Sequence, residues 1–98
     1  MIVLISDDAE FDLVEGRSFY DQHGPEIGDL FCNSMLADVQ SLSVVGGIHA
    51  QRFGYYCMAA KRFPYGIYYA IDETTVSIVA ILDERRDPKW IQRRLTRG

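Results

Sequence analysis

The stretch AKRFPYGIYYAIDETTVSIVAILDERRDPKW, Ala60–Trp90, decides how the chain folds. Within it Thr75–Leu82 is an apolar run rich in Val and Ile, residues that suit a pleated, half-buried surface. Strict alternation puts Val76, Ile78, Ala80 and Leu82 on one face, while Val79 and Ile81 make the other face apolar too. Such a strand belongs inside a sheet, covered on much of both sides. Asp72-Glu73-Thr74 is a turn, so Ile67–Ile71 pairs back on that strand. Phe63-Pro64-Tyr65-Gly66 supplies the preceding turn, and Tyr55–Arg62 the strand before it. Short connections make these three strands an antiparallel meander. Downstream, Asp87 fits a helix N-cap and Pro88 the first helical position. The short terminal helix turns Trp90, Ile91 and Leu95 inward and Arg93, Arg94 and Arg97 outward.

Upstream, VVGGIHAQRFG, residues 44–54, reads as a loop punctuated by Gly46, Gly47 and Gly54. Residues 7–43 read as two helices. Ala9, Leu13, Gly16 and Tyr20 share one helical face, and Ile27, Phe31, Met35, Val39 and Leu42 share another. Asp7 with Glu10 resembles a capping box, and Gly24-Pro25 ends one helix and starts the next. Ile2–Ile5 is a short buried strand. The order is β-α-α-β-β-β-α in a single domain, residues 1–98. This is an α+β fold, with an N-terminal strand and helical hairpin packed on a curved antiparallel sheet and a short C-terminal helix.

Charge is unevenly divided. The net charge is -4, yet residues 1–45 hold nine acids and one base, Arg17, while residues 46–98 hold nine bases and five acids. Six of those bases lie between Arg85 and Arg97, so the end of the chain suits an anionic partner. No apolar run reaches the roughly 20 residues of a membrane helix, and the N-terminus lacks the basic region of a secretory signal. A cytoplasmic protein with no membrane contact is expected. Cys32 and Cys57 form no CxxC and stand in no histidine cluster, so two reduced thiols are expected and neither a metal site nor a cofactor. The glycines make no phosphate-binding loop.

The segments KRFPYGIYYAID and ERRDPKW, joined by an apolar strand, resemble the signature end of the RelE/ParE toxin superfamily of bacterial type II toxin–antitoxin modules. FYDQHG and GDLFCNSML resemble the helical hairpin of that family, and the resemblance covers essentially the whole chain. One departure concerns the residue before the basic cluster, where relatives often carry His and this chain carries Asp83.

The resemblance to ParE-like members implies a plasmid-stabilisation toxin that inhibits DNA gyrase without bond-breaking chemistry. It also implies a cognate antitoxin, with operator DNA reached only through that antitoxin. Arg85, Arg86, Lys89, Trp90, Arg93 and Arg94 are then the expected target-binding surface, since Arg and Trp concentrate interface energy. Phe11, Phe19, Tyr55 and Tyr56 are the expected antitoxin contacts, lying off the main core stripe or at a sheet edge. The alternative is a RelE-like endoribonuclease acting on mRNA in the ribosome. For it Arg62, Asp83 and Arg85 would be catalytic, with Glu84 as another base and Tyr68 or Tyr69 as donors. Neither His23, in the helix–helix turn, nor His49, in the glycine-flanked loop, lies on the terminal strand where the resemblance would place a histidine.

Overall fold

A computed structural model of the chain describes residues 1–97. Its elements run β1 (Ile2–Ile5), α1 (Asp7–Asp21), α2 (Pro25–Val45), β2 (Gln51–Arg52), β3 (Tyr55–Ala59), β4 (Tyr65–Asp72), β5 (Thr75–Asp83) and α3 (Pro88–Arg97). The strands form one sheet in the order β1-β5-β4-β3-β2. The β3-β4-β5 meander is antiparallel, as the short connections require. β1 lies parallel to β5, from Ile2 opposite Thr75 to Ile5 opposite Ile78. The sheet is therefore mixed, where a purely antiparallel one was expected. The hairpin of helices carries the chain across the sheet face between β1 and the meander, and that crossing sets β1 parallel. No helix among the described residues is long and apolar enough to cross a membrane.

Three local features differ from the sequence reading. Ser6, not Asp7, caps α1: its Oγ accepts the Ala9 N–H at 3.1 Å, and Asp7, Asp8 and Glu10 fall in the first turn, where carboxylates suit the helix dipole. Part of the glycine-flanked loop is strand. β2 pairs with β3 across a tight turn at Phe53 and Gly54, whose φ values are 55° and 85°. Such positive φ pairs suit two-residue hairpins. β4 begins two residues early, at Tyr65, and β3 stops at Ala59, short of Arg62.

The largest correction concerns β5. Tyr68 sits opposite Ala80 and Tyr69 opposite Ile78, so Val79 is an extra residue in a β-bulge. A bulge shifts the alternation by one. Val76, Ile78 and Ile81 face the helical hairpin, packing with Ala9, Phe31, Met35, Val39, Leu42, Ile67 and Tyr69. Ala80 and Leu82 face the other way and form a second core with Tyr68, Ile91 and Leu95. The four residues that alternation grouped on one face thus serve two layers. α3 is seated on the layer opposite the hairpin. Ten residues are too few for a stable isolated helix, so α3 depends on Ile91 and Leu95, each contributing about 1.5–3 kcal/mol on burial.

The hairpin's approach to the sheet runs through Gly16. A side chain there would place its first carbon 2.5 Å from Phe31 Cζ, in the ring cluster of Tyr20, Phe31, Phe63 and Tyr65. Gly16→Ala should destabilise the chain by about 1–3 kcal/mol despite its better helix propensity, read from the shift in urea midpoint. An unchanged or raised midpoint would show that the hairpin is free to move away.

Candidate interaction surface

β1 ends at Ile5 while β5 continues to Asp83, so the last part of β5 has no strand on that side. An unpaired N–H there must find another acceptor. Asp12 supplies it from α1, its Oδ2 accepting the Ile81 N–H at 3.0 Å. The same carboxylate accepts twice from Arg94 Nη2, at 2.9 and 2.8 Å. The side chains are 11% and 10% exposed. Arg94 therefore does not point outward as expected. It is drawn around the sheet edge because Asp12 needs a counter-charge, and its Nη2 also donates to the Asp8 carbonyl at 3.3 Å. Burial pushes the Asp12 carboxyl up from 3.8 to about 6, against the opposing pull of the Ile81 N–H and Arg94.

The other expected target-binding residues are exposed or half-buried around this clamp. Trp90 is half-buried against the second core, and the Arg86 guanidinium stacks over its ring at 4.0 Å. Lys89 and Arg93 are exposed on α3, and Asp87 caps the helix by accepting the Lys89 N–H at 2.9 Å. Arg85 is exposed but not free. Its Nε and Nη2 donate to Asp83 at 3.0 and 2.7 Å, and hydrogen bonding from Arg85 holds the Asp83 carboxyl below its ordinary range.

Of the expected antitoxin contacts, Phe11 and Phe19 are 60% and 46% exposed on α1. Tyr55 and Tyr56 are half-buried, and the sheet edge they were assigned to is covered by β2, with Arg52 opposite Tyr55 and Gln51 opposite Tyr56. Tyr56 stacks on Tyr69 at 5.2 Å and Tyr55 packs against the second core. Tyr55 also lines a groove with Asp8 of α1 and Arg94 of α3.

Of the residues named for ribonuclease chemistry, Asp83 and Arg85 are joined to each other, and Arg62 lines a different groove. Arg62 lines a groove against α2 with Leu30, Asn33 and Lys61, whereas Asp83 lines a groove against α1. Tyr68 and Tyr69 are fully buried. Tyr69 accepts the Gly47 N–H at 2.9 Å and bonds to His49 Nδ1, while His23 packs edge-on to Phe19.

Behind the surface lies a cluster that the sequence did not join. Tyr68 donates to Glu84 at 2.9 Å, and Arg52 Nη1 donates to Tyr68 and Glu84 at 3.1 Å each. The Cys57 thiol lies 3.5 Å from Glu84, and burial pushes it up to about 11. Burial, reinforced by Glu84, raises the Tyr68 hydroxyl as well. A thiol so shifted is almost all protonated at neutral pH and is no nucleophile. The cluster fixes the start of the basic turn to β2 and β4. Seeing it from sequence would have needed β2 and the hairpin register, which no local pattern signals.

No family model matches the chain, and no curated protein matches it. Among solved structures, one from the chromosomal ParDE toxin–antitoxin system of P. aeruginosa superposes with a TM-score of 0.74, covering 83% of this chain and 92% of that one. The chain has a ParE-like fold. The expected α+β architecture is thereby established, while the 21% identity leaves the activity to be argued from the surface.

Asp12 gives that surface a pH signature. Its folded-state pKa, about 6, lies above its ordinary 3.8. Between these values the folded chain holds a proton that the unfolded chain has lost, so this group's contribution to stability falls as pH rises from about 4 to 6. Arg94→Met removes a lowering influence, so the Asp12 titration followed by carboxyl NMR should move upward. The variant's stability loss should be roughly 3 kcal/mol near pH 7, where Asp12 is charged, and smaller near pH 5. A titration midpoint that does not move on Arg94→Met would refute the coupling.

Proposed function

We propose that this chain is the toxin of a type II toxin–antitoxin module, ParE-like in action, which inhibits DNA gyrase and is neutralised by a cognate antitoxin. The observation that carries this reading is the cationic Trp90 surface of α3, displayed on a fold shared with a protein of a ParDE toxin–antitoxin system. Arg86, Lys89 and Arg93 surround a tryptophan whose inner side is anchored in the second core. Arginine beside a supported aromatic ring is the composition of interface hot spots. Arg85 contributes through its outward rim, and Arg94 acts by holding α3 in place rather than by touching the target.

Inhibition of this kind requires no acid–base pair, only a shaped, charged surface. An endoribonuclease would need a base and an acid free beside its cations. Here Asp83 is held by Arg85, and the Tyr68 hydroxyl is held by Glu84. The antitoxin reading draws on the phenylalanines of α1, which are large apolar groups left in water. In this role the protein works in the cytoplasm, and operator DNA is contacted by the antitoxin.

Purified chain should inhibit gyrase supercoiling, and Arg86→Ala with Arg93→Ala should weaken that inhibition at least about tenfold while leaving the melting curve in place. Arg62→Ala should change nothing. Cleavage of mRNA in a translating extract, with supercoiling untouched, would overturn the proposal in favour of the endoribonuclease.

A further inference from the structure

Between α1 and the open edge of β5 runs a groove of about 400 Å3, within the size range of small-ligand sites. Phe19 of α1 and Trp90 of α3 give it apolar walls, and Gly16 and Tyr65, both buried, also line it. Tyr65 is only 8% exposed, yet its hydroxyl has no hydrogen-bond partner among the described residues. No side-chain nitrogen or oxygen among those residues is both sealed from solvent and unpartnered. The small exposed part of Tyr65 therefore includes the hydroxyl, which opens into the groove. Gly16 leaves it uncovered, since a side-chain carbon there would stand 3.3 Å from that oxygen. Burial pushes the hydroxyl up to about 12, so at neutral pH it keeps its proton and is a donor. A donor held this deep without a partner is costly, and a ligand that accepts from it recovers the cost.

The charges of the groove add a second constraint. Four charged residues line it: Asp12, Glu15, Asp83 and Arg86. Two are spent, Asp12 on Arg94 and Asp83 on Arg85. Glu15 and Arg86 have no ion-pair partner among the described residues and do not pair with each other. They come from different elements, Glu15 from α1 and Arg86 from the turn before α3, where its guanidinium lies over the Trp90 ring. The groove thus presents one unanswered carboxylate, one unanswered guanidinium and one buried donor among aromatic side chains.

From this arrangement we infer that the groove binds a small zwitterion with an apolar body. The ammonium lies toward Glu15, the carboxylate toward Arg86 and the Tyr65 hydroxyl, and the hydrocarbon between Phe19 and Trp90. A ligand of one charge would leave either Glu15 or Arg86 unanswered, and an uncharged hydrocarbon would leave both, with the Tyr65 donor besides. Free amino acids with large apolar side chains and short apolar peptides share the required chemistry. The inference goes beyond the toxin reading and does not rest on it, although Arg86 serves both.

The test titrates the full chain with phenylalanine and with a dipeptide of phenylalanine and leucine. Trp90 is the one tryptophan of the chain, so its fluorescence and its indole N–H signal in NMR report on the groove wall directly. One or both compounds should bind with a Kd below about 1 mM, and the tighter one identifies the source. The N-acetylated and C-amidated forms, each lacking one charge, should bind about tenfold more weakly. Glu15→Gln should abolish the preference over the acetylated form, and Arg86→Gln the preference over the amide. Tyr65→Phe should weaken the zwitterion by about threefold or more. Glu10→Gln, the same change on exposed α1 away from the groove, should alter binding less than about twofold. Circular dichroism checks that each variant folds. Binding of neither compound, equal binding of the blocked forms, or preferences that survive in Glu15→Gln and Arg86→Gln would overturn the inference.

Discussion

One carboxylate holds the two sides of this molecule together. Asp12 rises from α1, on the hairpin side of the sheet, caps a strand N–H left open where β1 ends, and receives the guanidinium of Arg94 from α3 on the opposite side. Around this edge a side chain of one layer reaches a side chain of the other. Taking two charges out of water is costly, and the cost appears in the upward displacement of the Asp12 carboxyl. What the pair supplies in return is position: it sets where the basic helix lies relative to the acidic one.

The surface follows from that placement. Arg94 is consumed in holding α3, and Arg85 is partly consumed by Asp83, so the charges left for a partner are fewer than the run of bases suggests. Those that remain are better organised. Arg86 lies over the Trp90 ring, and Trp90 rests on a core made by Leu82, Ile91 and Leu95. Beneath the basic turn, Glu84 is gripped by Tyr68 and Arg52, so the segment linking β5 to α3 is fixed at its root. Rigid support is what allows a few cations to concentrate binding energy.

Much of this was legible in the sequence. The helical faces of Ala9–Tyr20 and Ile27–Leu42, the three-strand meander and the Asp87-Pro88 helix start all obey local rules. Phe11 and Phe19 stood off the apolar stripe and are indeed exposed. What escaped depended on distant partners. β2 is two residues long and exists only because Phe53 and Gly54 adopt positive φ. The burial of Arg94 depends on Asp12, 82 residues away. The bulge at Val79 leaves no mark in an apolar run where both faces are hydrophobic, and the rule of strict alternation therefore assigned Ala80 and Leu82 to the wrong layer.

That bulge also determines how the gene for this chain can vary. Swapping one aliphatic residue for another within β5 keeps every side chain on its side of the sheet. Losing or gaining a single codon near Val79 does not, because the residues beyond it would be turned over as a block and the terminal helix would lose its seat. A point change there costs only its own packing, whereas a change of length displaces the whole block. The strand behaves as a keyed part, with its phase rather than its composition under constraint.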